Sequence, residues 1–404
     1  MVKILIVSST FPYPPSKGGT QIRTFNLLKP LINNHQVTLI TQKGEDVTEE
    51  DINNLRKYVT NLLVFACPQN SQNGFINKIK RFAEFLLAGT PPNVLSLYSE
   101  EIQEWINNAV NEGKFEAITC EHSVNEVYIK PEWKKKINTV LNVHSSLYKT
   151  CKNQLETNTS DHKIRDIIYL PLLRRYEQKT IRKFSHVVVT TDEDQEQMQI
   201  YDPRAMVAIV PNGVDLKIFS YRKSDPGGHN LVFVGGLDYF ANIDAVRFFS
   251  LEVFPLIQAK YPDVTLTLVG SKPAPEVLEL AQNPAITVTG RVPSVAEYLH
   301  KATVAIVSMR TGFGIKNKTL EAMAAGCPVV ASDRGLEGIN AENIALRANT
   351  IEEYVEAISK LFEDEKLRQK LSENGRKLIE KEYIWENLAK KYEEILADFS
   401  SQKD

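Results

Sequence analysis

Short apolar runs alternate along this chain with longer stretches in which apolar positions recur at helical spacing. In the first half the runs are Lys3–Ser8, Gln36–Thr41, Asn61–Ala66, Phe115–Glu121, Thr139–Val143 and His186–Thr190. In the second half they are Leu231–Val234, Thr265–Val269, Ile286–Thr289, Val304–Ser308 and Pro328–Ser332. Runs this short and this continuously apolar suit strands covered on both faces, and their alternation with helical segments predicts mostly parallel sheets flanked by helices. From Ile351 onward the pattern is helical. Tyr354, Val355, Ile358, Leu361 and Phe362 share one face, Asn374-Gly375 signals a helix stop, and Tyr383, Trp385, Leu388, Tyr392 and Leu396 belong to a last amphipathic segment.

A chain of 404 residues exceeds the size at which one core keeps growing, so two domains are expected. The turn-rich Pro211-Asn-Gly-Val-Asp215 and the polar stretch Ser220–Asn230 place the boundary, giving domains over 1–212 and 213–382. No repeat of solenoid length is present. A formal net charge of −2 gives no global reason to expect nucleic-acid binding. The apolar start Met1–Ser8 is too short for a signal peptide and no stretch is long and apolar enough to span a membrane, so a cytoplasmic protein is expected. The four cysteines, Cys67, Cys120, Cys151 and Cys327, lack C-x-x-C spacing, which points to reduced thiols rather than zinc or disulfides.

The chemistry concentrates between Arg310 and Ser332. There a strand (Val304–Ser308) is followed by a basic, glycine-bearing loop, then by good helix formers from Thr319 to Ala325, a stop at Gly326, and a strand from Pro328. The first N–H groups of a helix have no intrahelical partner and the dipole is positive there, so this order builds an anion site. Lys318 and Glu321, three residues apart, can share a face. One suits a diphosphate and the other a ribose diol.

The block Gly312-Phe-Gly-Ile-Lys-Asn-Lys-Thr-Leu-Glu-Ala-Met-Ala-Ala-Gly-Cys-Pro-Val-Val-Ala331 resembles the nucleotide-sugar site of retaining GT-B glycosyltransferases, family 4 in particular (glycosyl transferases group 1). The resemblance implies an α/β fold of two Rossmann-like, doubly wound domains facing a central cleft. It also implies a C-terminal helix, within 383–404, that crosses back to the N-terminal domain. By the same resemblance the donor would meet Gly18 and Gly19 after the first strand, His144 after Asn142-Val143, Arg291 and Val292 in the loop after Ile286–Thr289, and Arg310, Gly312, Phe313, Gly314, Lys316, Lys318 and Glu321 in the block itself. His144, Arg310 and Lys318 are the candidate catalytic residues, with His122 the second choice to His144. A histidine at the carboxyl end of a strand can exchange hydrogen bonds with a sugar hydroxyl.

Two departures from the family pattern stand out. The arginine and lysine expected after Leu231–Val234 are replaced by Gly236 and Asn242, so Arg310, Lys316 and Lys318 are expected to supply the cations. The acidic residue expected just before the Gly-Phe-Gly segment is replaced by Arg310 or Thr311. Asp192-Glu-Asp194 looks like a metal-binding D-x-D triplet, but its place after a strand suits helix capping. No cofactor or metal is therefore expected; the nucleoside diphosphate sugar, UDP- or GDP-linked, is substrate. The amphipathic, lysine-rich stretch Gly74–Leu87 offers a possible peripheral contact with the inner face of the cell membrane.

These features imply a hexosyltransferase acting with retention on a glycan, lipid-linked or small-molecule hydroxyl. Two rivals remain open: a catalytically silent GT-B subunit that binds nucleotide sugar or a partner enzyme, and a nucleotide-sugar epimerase. The missing G-x-G-x-x-G after Ile4–Ser8 weakens the second.

Overall fold

All-parallel pairing is what apolar runs without polar alternation require, since both faces must be covered. The computed structural model describes residues 1–15, 18–68, 85–86, 89–160, 162–312 and 314–399, and it divides the chain into two units, Met1–Pro211 with the residues from Glu386 onward, and Asn212–Trp385. The membrane-contact stretch Gly74–Leu87 falls, apart from Phe85 and Leu86, outside the described residues, as does Phe313.

The first unit holds seven strands: β1 (Lys3–Ser8), β2 (Gln36–Lys43), β3 (Asn61–Ala66), β4 (Ala117–Glu121), β5 (Asn138–Asn142), β6 (His186–Val189) and β7 (Met206–Ile209). They lie in the order β3-β2-β1-β4-β5-β6-β7, all parallel. Ile4, Leu5, Ile6 and Val7 of β1 are each no more than 1% exposed. Burial of side chains of this size stabilises by about 1.5–3 kcal/mol apiece, which makes β1 the anchor of the sheet. The helix Trp385–Leu396 belongs to this unit from Glu386 on. Tyr392 and Leu396 are fully buried in it, and the Asn138 side chain donates to the Ile395 and Leu396 carbonyls at 2.8 and 3.1 Å, satisfying groups that a helix end leaves open.

The second unit contains β8 (Asn230–Val234), β9 (Thr265–Val269), β10 (Ile286–Val288), β11 (Val304–Val307), β12 (Val329–Ala331) and β13 (Leu346–Arg347), in the order β10-β9-β8-β11-β12-β13. At the carboxyl ends of β8 and β9 the backbones nearly touch. A Cβ on Gly270 would sit 1.7 Å from the Gly235 carbonyl oxygen, so only glycine fits there.

Sequence and structure part in three places. β7 and β13 were not expected; each lies at a sheet edge, and β13 has two residues. The stop expected at Asn374-Gly375 does not occur, because one helix runs from Glu365 to Glu382. Gly375 is instead a contact point: a Cβ there would meet Met323 at 3.3 Å, so the missing side chain lets the helix Asn317–Ala324 pack close, while Asn374 donates to the Asn343 carbonyl.

Candidate active site

In open parallel sheets ligands bind beyond the carboxyl ends of the strands, where the strand order reverses. In the second unit that point lies between β8 and β11. β8 ends in Gly235-Gly236, and β11 leads through Ser308–Lys316 into the helix Asn317–Ala324. Gly312 and Gly314 hold the connecting loop with φ of 93° and 74°, a region that side chains with a Cβ rarely enter.

Lys318 reaches from the first turn of that helix to the end of β8. Its Nζ donates to Asn242 Oδ1 at 2.6 Å, lies 3.7 Å from Met309 Sδ, and stands 4.1 Å from the centre of the Phe233 ring. Asn242 in turn donates to the Gly236 carbonyl at 2.8 Å. The asparagine that replaces the family's expected cation thus ties the glycine turn to the lysine of the helix after β11. Burial among these weakly polar neighbours, helped by the charge of Lys316, brings the Lys318 ammonium down to about 7. Burial raises the Glu321 carboxyl to about 7, against the opposing pull of Lys318. The pair therefore sits poised around neutrality.

The other two basic residues are engaged elsewhere. Arg310 forms a two-pronged pair with Asp244, at 3.0 and 2.5 Å, and stacks over Phe248 at 4.8 Å, with about half its side chain exposed. Lys316 is buried and ion-paired to Glu337 at 3.2 Å, which Arg334 also reaches at 3.1 Å. Expectation had three cations converging on one anion; the structure leaves Lys318 facing the turn while carboxylates hold Arg310 and Lys316. Thr311, at the place of the family's acidic residue, is fully buried and its hydroxyl finds no hydrogen-bond partner among the described residues. Arg291 is exposed and Val292 half-buried beyond β10, two strands away from β8.

The first unit reverses order between β1 and β4. Gly19 opens the helix Gly19–Leu28 after β1, and Gly18 precedes it in extended backbone. The dominant feature here was not expected. Glu121, the last residue of β4, is buried and accepts hydrogen bonds from Tyr392 Oη at 2.6 Å and Asn142 Nδ2 at 2.8 Å, with His144 Nε2 at 3.4 Å. Asn142 Oδ1 accepts from Arg23 Nε and Nη2 at 3.1 and 2.8 Å, so a neutral amide links a buried guanidinium to a buried carboxylate. Burial works against the Glu121 charge, but hydrogen bonds from His144 and Tyr392 and the Arg23 charge outweigh it and hold the carboxyl below its ordinary range. Nothing local in the sequence marks these residues. The available hint was polar side chains ending otherwise apolar strands, Glu121 on β4 and Asn142 on β5.

His144 and His122 are brought together, their rings 5.2 Å apart and edge to face. Burial drives both imidazoles towards the neutral form, His122 down to about 3. His122 holds a left-handed φ of 73°, a strained setting for a residue with a Cβ. With Nε2 of His144 turned to the Glu121 carboxylate, its buried Nδ1 has no hydrogen-bond partner among the described residues and can accept from a hydroxyl.

Asp192-Glu-Asp194 occupies the first turn of the helix Asp192–Tyr201, capped by Thr191, and Asp194 pairs with Lys149 at 3.0 Å. Among the described residues no group of three or more His, Cys, Asp or Glu could hold a metal ion, all four cysteines are free, and no helix is long and apolar enough to cross a membrane.

Comparison with known proteins agrees with this architecture. Residues 17–218 match the model of Glycosyltransferase Family 4, and residues 228–364 match that of Glycosyl transferases group 1. An uncharacterized 44.6 kDa protein in the cps region of Klebsiella pneumoniae is 25% identical over 349 residues, 84% of each chain. The capsular polysaccharide biosynthesis glycosyltransferase CapM of Staphylococcus aureus is 27% identical over 165 residues, 37% of this chain and 42% of CapM. Among solved structures, sucrose-phosphate synthase from Thermosynechococcus elongatus superposes with a TM-score of 0.68 at 20% identity, covering 98% of both chains. Anabaena HepE in complex with UDP-glucose gives 0.65 at 14% identity, over 98% of this chain and 100% of that one.

Proposed function

The chain belongs to the glycosyltransferases described by the family 4 and group 1 models, with the GT-B fold of two Rossmann-like α/β sheets, and on that premise we propose a reaction for it. A hexose-type sugar passes from a nucleoside diphosphate donor to a hydroxyl of a glycan, lipid-linked or small-molecule acceptor, with retention of configuration and without a metal. Relatives in capsule regions favour a polysaccharide-building role.

One observation carries the donor reading. Lys318 stands at a helix start and at the reversal of strand order, hydrogen-bonded through Nζ to a neutral amide rather than to a carboxylate. As the glycosidic bond breaks, negative charge grows on the leaving diphosphate, and a desolvated ammonium at a helix start, where the dipole is positive, stabilises it more than the same cation in water would. Glu321 would accept from the ribose diol, and the bare Nδ1 of His144 from a sugar or acceptor hydroxyl. Arg310 joins this chemistry only by leaving Asp244, which makes it secondary to Lys318. A UDP donor is favoured over GDP because structural neighbours were solved with UDP and UDP-glucose.

The capture of Arg310 and Lys316 by carboxylates also favours a second reading, a subunit that binds nucleotide sugar without turnover. A thermal-shift panel of UDP, GDP, ADP and TDP on wild type and Lys318→Ala tests the site. Ligand at about 100 times its dissociation constant adds about 2.7 kcal/mol, a shift of several degrees. Stabilisation of wild type by one nucleotide and not of Lys318→Ala is expected; equal stabilisation of both removes Lys318 from the site. Transfer or hydrolysis of the matching nucleotide sugar by the isolated chain then excludes the silent subunit, and the anomeric configuration of the product decides retention.

A further inference from the structure

The helix Lys163–Ile181 in the first unit buries Leu173, Tyr176 and Ile181 on its inner face but otherwise departs from the usual amphipathic pattern. A surface helix normally turns its apolar stripe to the core and its charges to water. Here the only two acids of the helix, Asp166 and Glu177, are buried, and three isoleucines, Ile164, Ile167 and Ile168, are 79%, 55% and 45% exposed. The acids are consumed internally. Glu177 accepts from Ser146 Oγ, from the Leu147 and Tyr148 backbone N–H groups, and from Tyr201 Oη. Asp166 accepts from Ser160 Oγ and pairs with Arg165.

The outward face carries charge of one sign. Lys163, Arg174, Arg175 and Lys179 are exposed, and at about 100° per residue they fall with the three isoleucines within about 160° of arc. The helix is about 28 Å long at 1.5 Å per residue, so this is a strip with isoleucines toward its first turns and arginines beyond, and no acid on it. Packing accounts for the acids, Glu177 by receiving the first N–H groups of the helix Leu147–Glu156, but not for the exposed isoleucines. Burying Asp166 and Glu177 costs desolvation, and leaving three isoleucines in water forgoes their burial.

We propose that this face docks on the surface of an anionic lipid bilayer, the isoleucines entering the headgroup boundary and the arginines and lysines pairing with acidic headgroups. Charge complementarity and the absence of acids on the strip favour a membrane over a protein partner, for which an interspersed polar rim is usual. The face would bring the chain to the lipid-linked acceptor named above, and in that respect the inference rests on that reading.

The test uses the full chain and sedimentation with vesicles of phosphatidylcholine alone or mixed with phosphatidylglycerol. Wild type is expected to pellet with the mixed vesicles, to stay in solution with phosphatidylcholine, and to be released by salt. Arg174→Gln/Arg175→Gln should need about thirtyfold more lipid for half-binding, and Ile164→Ser/Ile167→Ser/Ile168→Ser should not pellet at ordinary salt. All these positions are exposed, so the thermal midpoint and the UDP-induced shift should match wild type in every variant. Wild type remaining in solution with mixed vesicles at low salt overturns the proposal, as does a triple-serine variant that pellets like wild type. A wild-type dimer that the triple variant converts to monomer overturns it in favour of a second copy. Vesicle binding without any nucleotide response would leave this inference standing and remove the transferase reading instead.

Discussion

If Lys318 is the cation that receives the diphosphate, binding must be linked to a proton. Its ammonium is brought down to about 7 by burial beside Asn242, Met309 and Phe233, so above neutrality the empty site holds mostly neutral lysine. A diphosphate needs the charged form. The protonated fraction is about one half at pH 7, about a tenth at pH 8 and about a hundredth at pH 9, so affinity for UDP should fall about fivefold from pH 7 to 8 and about tenfold, or about 1.4 kcal/mol, from pH 8 to 9. Titration calorimetry in buffers of different ionisation enthalpy should show uptake approaching one proton per UDP at pH 9 and little at pH 6. Lys318→Arg carries a permanent charge and should abolish both the slope and the uptake. Glu321 also titrates near neutrality, so Glu321→Gln separates the two; it should keep the slope above pH 8. A wild-type affinity that is flat from pH 7 to 9, or a slope that survives in Lys318→Arg, would refute the assignment. The same shift has a sign in the absence of ligand. The unfolded chain binds this proton between about 7 and the ordinary lysine value of about 10.5 while the folded chain does not, so stability should rise with pH through that window and cease to do so in Lys318→Met.

Three further outcomes are expected. Glu121→Leu leaves Arg23 as a buried charge without its counterion and should cost about 3–5 kcal/mol in urea unfolding; Tyr392→Phe, which removes one hydrogen bond to the same carboxylate, should cost about 1 kcal/mol. Because the Glu121 carboxyl is held below 4.5, its contribution is present above that pH and lost as pH falls through the folded value, so Tyr392→Phe should move acid unfolding, followed by tryptophan fluorescence, to higher pH. Gly270→Ala drives a methyl into the Gly235 carbonyl and should cost at least about 1–3 kcal/mol, read as a lower thermal midpoint and loss of the UDP shift. Turnover should persist in EDTA; complete loss restored by magnesium would show that side-chain cations do not suffice.

The sheets were legible because strands covered on both faces announce themselves as unbroken apolar runs: β1, β3 and β9 have the bounds that their residues suggest. β7 is apolar throughout, Met206-Val-Ala-Ile209, but escaped because it is only four residues long and runs at once into the Pro211 turn. Of the site, the order of strand, basic loop and helix could be read locally, but pairing could not. That Arg310 belongs to Asp244 and Lys316 to Glu337 depends on residues 66 and 21 positions away. Glu121 was opaque for a stronger version of the same reason: its partners Arg23, Asn142 and Tyr392 come from three separate elements, and a carboxylate at a strand end reads as solvent-facing until they are assembled. Asn374-Gly375 misled because a glycine that frees a helix to end and one that lets a helix approach its neighbour look alike in sequence.

The return of the final helix to the first unit has a consequence for how the protein is made. Residues 212–385 form an uninterrupted unit, complete as soon as they emerge from the ribosome. The first unit is begun earlier yet finished later, since the Glu121 carboxylate lacks its Tyr392 hydroxyl and Asn138 its terminal carbonyls until translation passes residue 396. During that interval the buried charges of Arg23 and Glu121 wait in a half-closed shell. A chain truncated before Glu386 therefore carries the residues of the whole second unit beside a first unit that lacks the helix on which Glu121 and Asn138 close.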